Sequence, residues 1–326
     1  GRWMPFTDEL RAKIEAQVEI ETSLRRALEC EEFELFYQPR LSVAEDRIIG
    51  AEALLRWHHP TRGTVLPGTF IPHAEKTGLI DLIGTCVIRE AARQQRAWAD
   101  LGHDISVSIN LSARQFRDPL LMATVEEIVA ETGCDPHRIQ IEITESMLVG
   151  DDAVTAGTLS ALSALGFSIA IDDFGTGYSN LATIQRHPID TLKIDRSFIA
   201  TLEKQPALAE LIIGMCRLLG LETIAEGVET EEQLAWLRAR NCHEYQGYLF
   251  SPAIPADRFV DLLEQQRERL GLAPVAAGRS PLWDLIPLVK RGSDVEWSKP
   301  EGEASNVRRL ASRTAAFGRR LGVKDR

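Results

Sequence analysis

Ser168-Ile169-Ala170-Ile171-Asp172-Asp173-Phe174-Gly175-Thr176-Gly177 is the stretch on which the fold turns. A short apolar, β-forming run ends on two adjacent acids, and two glycines follow closely. The segment reads as a buried strand that finishes in a charged turn. Seven more such runs lie along the chain: Phe33–Tyr37, Ile48–Leu55, Ile105–Ile109, Ile139–Ile143, Thr191–Ile194, Thr223–Ala225 and Tyr248–Phe250. Amphipathic stretches separate most of them. Asp81–Leu101, Leu120–Thr132, Asp152–Leu165 and Leu208–Leu219 each stop at a glycine, and Thr230 is placed to cap a helix running to Arg240. Strands alternating with helices over about 240 residues give the size and rhythm of an α/β fold of the TIM-like (β/α)8 barrel type. A doubly wound open sheet is the competitor, but it would carry a glycine-rich phosphate loop after its first strand, and none is present.

The whole chain has 326 residues, 44% of them apolar and 26% charged, with a net charge of −11. That composition excludes collagen-like, disulfide-scaffold and wholly disordered classes. Residues 288–326 hold ten basic and five acidic side chains, so the remainder carries −16. A body this acidic is not a binder of polymeric nucleic acid, whose phosphates call for Lys and Arg. Five scattered cysteines without a C-x-x-C pair read as reduced thiols of a cytosolic domain. No apolar run nears the roughly 20 residues of a membrane span, so no membrane contact is expected within this chain. The chain opens at Gly1 without a start methionine, as expected of a piece cut from a longer protein.

The chemistry stands at the strand ends. Glu52 lies in the second run and Asn110 closes the third; Glu142 sits in the fourth, with Glu145 just beyond. Asp172 and Asp173 end the fifth, Lys193 is in the sixth, Glu226 follows the seventh and Gln246 precedes the eighth. A barrel gathers such ends at one rim, where catalytic groups sit. This many carboxylates cannot ionise together without cations, and hard oxygen and amide donors suit Mg2+ or Mn2+ rather than zinc. Asp172 and Asp173 would diverge in a regular strand, whose side chains alternate. The turn that Gly175 and Gly177 permit can aim both at neighbouring metal sites. The pattern suggests two metal ions with a bridging water, the device that activates water in phosphoryl transfer. Lys193, held charged among carboxylates, would orient that water, assist its deprotonation or stabilise phosphorane charge; the three roles stay open here.

From about Phe33 to Pro252 the chain resembles the EAL domain family of cyclic-di-GMP phosphodiesterases. The resemblance rests on Glu52-Ala53-Leu54 within Glu-Ala-Leu-Leu-Arg-Trp, with Tyr37-Gln38-Pro39, Asn110-Leu111-Ser112, Glu142-Ile143-Thr144-Glu145, Asp172-Asp173-Phe174-Gly175-Thr176-Gly177, Leu192-Lys193-Ile194-Asp195, Ala225-Glu226-Gly227-Val228-Glu229 and Gln246-Gly247-Tyr248 in the family's order. It implies a TIM-like barrel with one antiparallel strand. It also implies two Mg2+ or Mn2+ ions held by Glu52, Asn110, Glu142, Asp172 and Asp173, with catalytic roles for Lys193 and Glu226. Arg56 and Gln246 match substrate-binding positions, and Glu145 and Glu229 are assigned to ordering the loop of the metal site. The implied reaction is hydrolysis of cyclic-di-GMP to linear 5′-pGpG in the cytoplasm, by a homodimer; a non-catalytic cyclic-di-GMP receptor on the same fold is the alternative. Residues 1–30 resemble a connecting helix after an upstream regulatory GGDEF domain, 31–270 form the barrel domain, and 271–326 form a basic extension.

Overall fold

The computed structural model describes residues 20–148, 153–175 and 181–272. Residues 1–19 of the connecting segment, Thr176 and Gly177 at the end of the acidic stretch, and residues 273–326 of the basic extension lie outside the described residues.

Ten strands are described: β1 (Phe33–Ser42), β2 (Ile48–His59), β3 (Gly63–Val65), β4 (Ser106–Asn110), β5 (Ile139–Thr144), β6 (Ser168–Phe174), β7 (Thr191–Ile194), β8 (Glu222–Ala225), β9 (Glu244–Tyr245) and β10 (Ile254–Pro255). Eight of them close a barrel in the cycle β1-β2-β4-β5-β6-β7-β8-β9 and back to β1. β1 is antiparallel to both neighbours, while every other barrel pair is parallel. The barrel and its single reversed strand therefore stand as expected. β3 and β10 add short antiparallel edges to β2 and β1.

The last barrel strand differs from the expectation. It is Glu244–Tyr245, whereas Tyr248–Phe250 forms a turn in which the Phe250 and Ser251 amides donate to the Gly247 carbonyl. The chain is pulled out of line at Gly247, where a Cβ would come within 2.2 Å of the Val228 carbonyl oxygen. Helix Pro67–Thr77 forms with Pro72 inside it, although an interior proline argues against a helix.

Strand alternation sorts the residues cleanly. Val107 and Ile109, Ile139, Ile141 and Ile143, Ile169 and Ile171, and Leu192 and Ile194 point outward into the main core beneath the helices. Each such side chain contributes about 1.5–3 kcal/mol by burial. The intervening residues point into the lumen, and they are largely polar. The helix covering 20–29 lays fully buried Leu24 and Ala27 on Trp57, Phe70 and Ile83, a second apolar cluster on the barrel wall. Thr230 caps helix Glu231–Ala239, with Gln233 completing a reciprocal capping box.

Candidate functional site

Lys193, on β7, has no solvent exposure. Its Nζ lies 2.6 Å from Glu142 Oε2, 2.6 Å from Glu226 Oε1, 3.1 Å from Asp172 Oδ1 and 3.6 Å from Glu52 Oε2. Those acids come from β2, β5, β6 and the end of β8, so the barrel converges four predicted carboxylates on one ammonium. Amides complete the ring: Asn110 Nδ2 donates to Glu52 Oε1 at 3.0 Å, and Gln246 Nε2 donates to Glu52 Oε2 at 2.6 Å.

One ammonium cannot neutralise four carboxylates in a buried site. Burial alone would lower the Lys193 pKa, but Glu142, Glu52, Glu226 and Asp172 hold it well above the ordinary lysine range. Burial likewise opposes ionisation of Glu52, yet Lys193 and the amides of Gln246 and Asn110 keep it below the usual carboxylate value. The other acids do worse. Glu142 is pushed up to about 7, first by burial and then by Glu52 and Asp172 against the pull of Lys193. Glu226 is pushed up to about 8 by burial, with Asp172 and Glu52 adding to it. The site is short of positive charge.

How two adjacent aspartates reach one site is settled by the backbone. The β6–β7 register shifts between Ile171 and Phe174, and Asp173 takes a left-handed φ of 53°. This irregularity cancels the alternation that would send Asp173 to the opposite face. The Asp173 amide donates to Asp172 Oδ1 at 2.9 Å. One carboxylate oxygen each from Asp172, Asp173 and Glu226 lies within 4.8 Å of the other two. Buried Glu142 Oε1 and the Gln246 amide oxygen have no hydrogen-bond partner. Hard oxygen donors, excess negative charge and orphaned acceptors are what a divalent cation site requires.

The other predicted residues fall nearby or at the margin. Arg56 shares the inward face of β2 with Glu52, four residues further along; its guanidinium lies over the Phe36 ring at 5.5 Å. Glu145 is buried and accepts the Gly175 amide at 3.1 Å, which ties β5's exit to the acidic turn. Glu229 is exposed just before the Thr230 cap, its amide donating to Gln233 Oε1 at 2.7 Å. Sequence reasoning missed Arg40, which is 1% exposed in the lumen. Its one signal was a charge within a strand, beside Pro39, that no surface position explains.

A family model described as EAL domain matches residues 21–253. The chain is 41% identical over 259 residues to the bifunctional diguanylate cyclase/cyclic di-GMP phosphodiesterase MucR of Pseudomonas aeruginosa, covering 78% of this chain and 38% of that protein. It is 36% identical over 262 residues to the cyclic di-GMP phosphodiesterase PdeR of Escherichia coli, covering 79% of this chain and 40% of the relative. The solved structure of PaMucR phosphodiesterase in complex with c-di-GMP aligns with a TM-score of 0.72 at 42% identity, over 74% of this chain and 99% of that one. The chain thus spans about two fifths of the length of these curated relatives. Among the described residues, no helix is long and apolar enough to cross a membrane.

Proposed function

The chain belongs to the EAL domain family, and on that footing we propose that it hydrolyses one phosphodiester of cyclic-di-GMP to give linear 5′-pGpG. The observation that carries the reading is a buried lysine ringed by four carboxylates at one end of the lumen, beside an aspartate pair turned to one face. Glu52, Asn110, Glu142, Asp172 and Asp173 would hold two Mg2+ or Mn2+ ions, with Glu226 beside them. Bound there, the ions supply an activated water and offset phosphate charge.

The chain's own groups divide the remaining work. Lys193 is an ammonium in this ring, so it acts as a donor, orienting the attacking water and holding the phosphoryl oxygens. Glu226, whose Oε1 lies 2.6 Å from the Lys193 ammonium, stands beside the proposed ligands and is placed to receive the water's proton once the ions hold it ionised. Gln246 fixes Glu52 through its amide. Arg56, braced on Phe36, would offer its guanidinium to a phosphate of the ligand. Glu145 steadies the turn that bears Asp173, and Glu229 serves the same loop from the helix start.

A homodimer belongs to the same proposal. It is supported by Leu211 and Leu218, 66% and 88% exposed on helix Ala207–Leu219, and sedimentation tests it. The division into 1–30, 31–270 and 271–326 is proposed as well, the family match over 21–253 supporting its middle part; an upstream regulatory GGDEF domain, supported by the bifunctional relative, and a cytoplasmic setting belong to the same proposal. The decisive experiment incubates purified protein with cyclic-di-GMP and Mg2+ and follows 5′-pGpG by chromatography. Binding of both without product would overturn the hydrolase reading in favour of a receptor.

A further inference from the structure

Barrels of this type ordinarily fill the lumen with branched apolar side chains. Here the tier beneath Lys193 is a hydrogen-bonded polar floor centred on Arg40. Arg40 Nη1 donates to Gln140 Oε1 on β5, and Nη2 donates to Ser106 Oγ on β4 at 2.6 Å. Its Nε lies 3.6 Å from Glu244 Oε2 on β9. Gln140 Nε2 passes the link on, to Ser168 Oγ on β6 at 3.0 Å and to Thr191 Oγ1 on β7 at 3.1 Å. The guanidinium on the reversed strand thus meets β4 and β5 by hydrogen bonds and β9 by an ion pair, and through Gln140 it is linked to β6 and β7 across the lumen.

Each strand so tied carries a site residue one or two inward positions further up. Ser106 leads to Asn110, Gln140 to Glu142, Ser168 to Asp172, Thr191 to Lys193 and Glu244 to Gln246. The space for the guanidinium is built in. Gly50 pairs with Arg40 across β1 and β2, and a Cβ there would stand 2.7 Å from Arg40 Nη2 and 2.6 Å from Ser106 Oγ.

We propose that Arg40 is a positioning residue. From the floor of the lumen its planar fork fixes the stagger of β4, β5, β6, β7 and β9 that brings Asn110, Glu142, Asp172, Lys193 and Gln246 onto one ring. The kinetic part of its test rests on the hydrolase reading; the metal-binding part does not.

The test is the pair Arg40→Met/Glu244→Gln. It removes one positive and one negative charge, so the formal charge of the lumen, and its long-range pull on cations, is unchanged while the fork is lost. Circular dichroism confirms folding, EPR follows Mn2+ binding, and steady-state kinetics follow cyclic-di-GMP. The expected result is a loss of about tenfold in Mn2+ affinity and in kcat, the usual scale for groups behind a ligand shell. KM should stay within about threefold, because the rim groups that meet the ligand are untouched. Arg40→Lys, which keeps the charge without the fork, should be impaired alike. Gly50→Ala crowds the guanidinium without removing it and takes the place of the double variant should that not fold; it should weaken Mn2+ in the same direction. Wild-type Mn2+ affinity in the folded double variant, or full activity of Arg40→Lys, overturns the proposal. A wild-type protein that binds Mn2+ but leaves cyclic-di-GMP intact would overturn the hydrolase reading instead, and the Mn2+ comparison would still decide the role of Arg40.

Discussion

Lys193→Met keeps the length of the side chain and deletes its charge, at the point where four carboxylates meet. The two 2.6 Å contacts, to Glu142 and Glu226, each represent about 6 kcal/mol of gross attraction at an effective dielectric near 20. Most of that offsets the desolvation of the buried charges, and deleting one partner of such a group costs about 3–5 kcal/mol net. The metal-free protein should lose stability on that scale. The sign of the pH dependence follows from proton counting. Glu142 and Glu226, already pushed up to about 7 and about 8, keep their protons to still higher pH once the ammonium is gone. The folded variant then binds more protons than the folded wild type, so its deficit grows as pH rises, by about 1.4 kcal/mol per unit for each extra proton held. Between pH 6 and pH 8 the gap should widen by as much as about 1.8 kcal/mol, most of it from Glu142, because wild-type Glu226 sheds its proton only near the top of that range. Urea titrations in EDTA, followed by circular dichroism at pH 6, 7 and 8, measure it directly. A deficit under about 1 kcal/mol at pH 8, or one that does not change with pH, would refute the reasoning.

Three further outcomes are expected. Asp173→Gly removes a left-handed non-glycine residue and a charge beside Asp172, so it should stabilise the metal-free protein by up to about 1 kcal/mol while weakening Mg2+ binding; a less stable variant in EDTA argues against stored strain at the turn. Protons compete with cations for Glu142 and Glu226, whose folded pKa values of about 7 and about 8 are raised. The gain in Tm on adding Mg2+ should therefore be larger at pH 8.5 than at pH 6, and equal gains would contradict that competition. Of the five thiols, Cys30 and Cys86 are exposed, whereas Cys134, Cys216 and Cys242 are buried, with burial pushing Cys216 up to about 12 and Cys242 up to about 11. The native protein should consume two equivalents of a disulfide reagent quickly and five after unfolding; more than two fast equivalents would show that the core opens.

The outward-facing isoleucines of β5 and the acid between them, Glu142, illustrate what was readable. A period of two with one charged exception already states both the core face and the lumen face. Asn110, Asp172 and Lys193 were legible for the same reason, since each breaks an apolar strand on its inward side. The two-residue β9 carries no period at all, and its place is set by Gly247 packing on Val228, a contact made only after folding. Asp173 was legible as a residue but not as a geometry, because a register shift leaves no mark in composition. Arg40 was hidden by topology. Its place in the lumen depends on β1 running backwards, which brings the residue after Pro39 to the floor rather than the rim.

That reversed strand is also the seam of the molecule, and the seam has a consequence for handling the protein. β1 is made early, yet one of its edges is paired by β9 and β10, and Gln38 reaches Ser251, 213 residues away. Ile48, at the start of β2, is held on both its amide and its carbonyl by Gln266, 218 residues distant. Until the ribosome has delivered those late segments, the nascent chain presents an open, unpaired strand edge, the kind of surface on which chains associate. A fragment meant to stay soluble should therefore begin no later than residue 20 and run through Arg269; one ending after the family match at 253 would lack β10 and the helix that clasps the barrel shut.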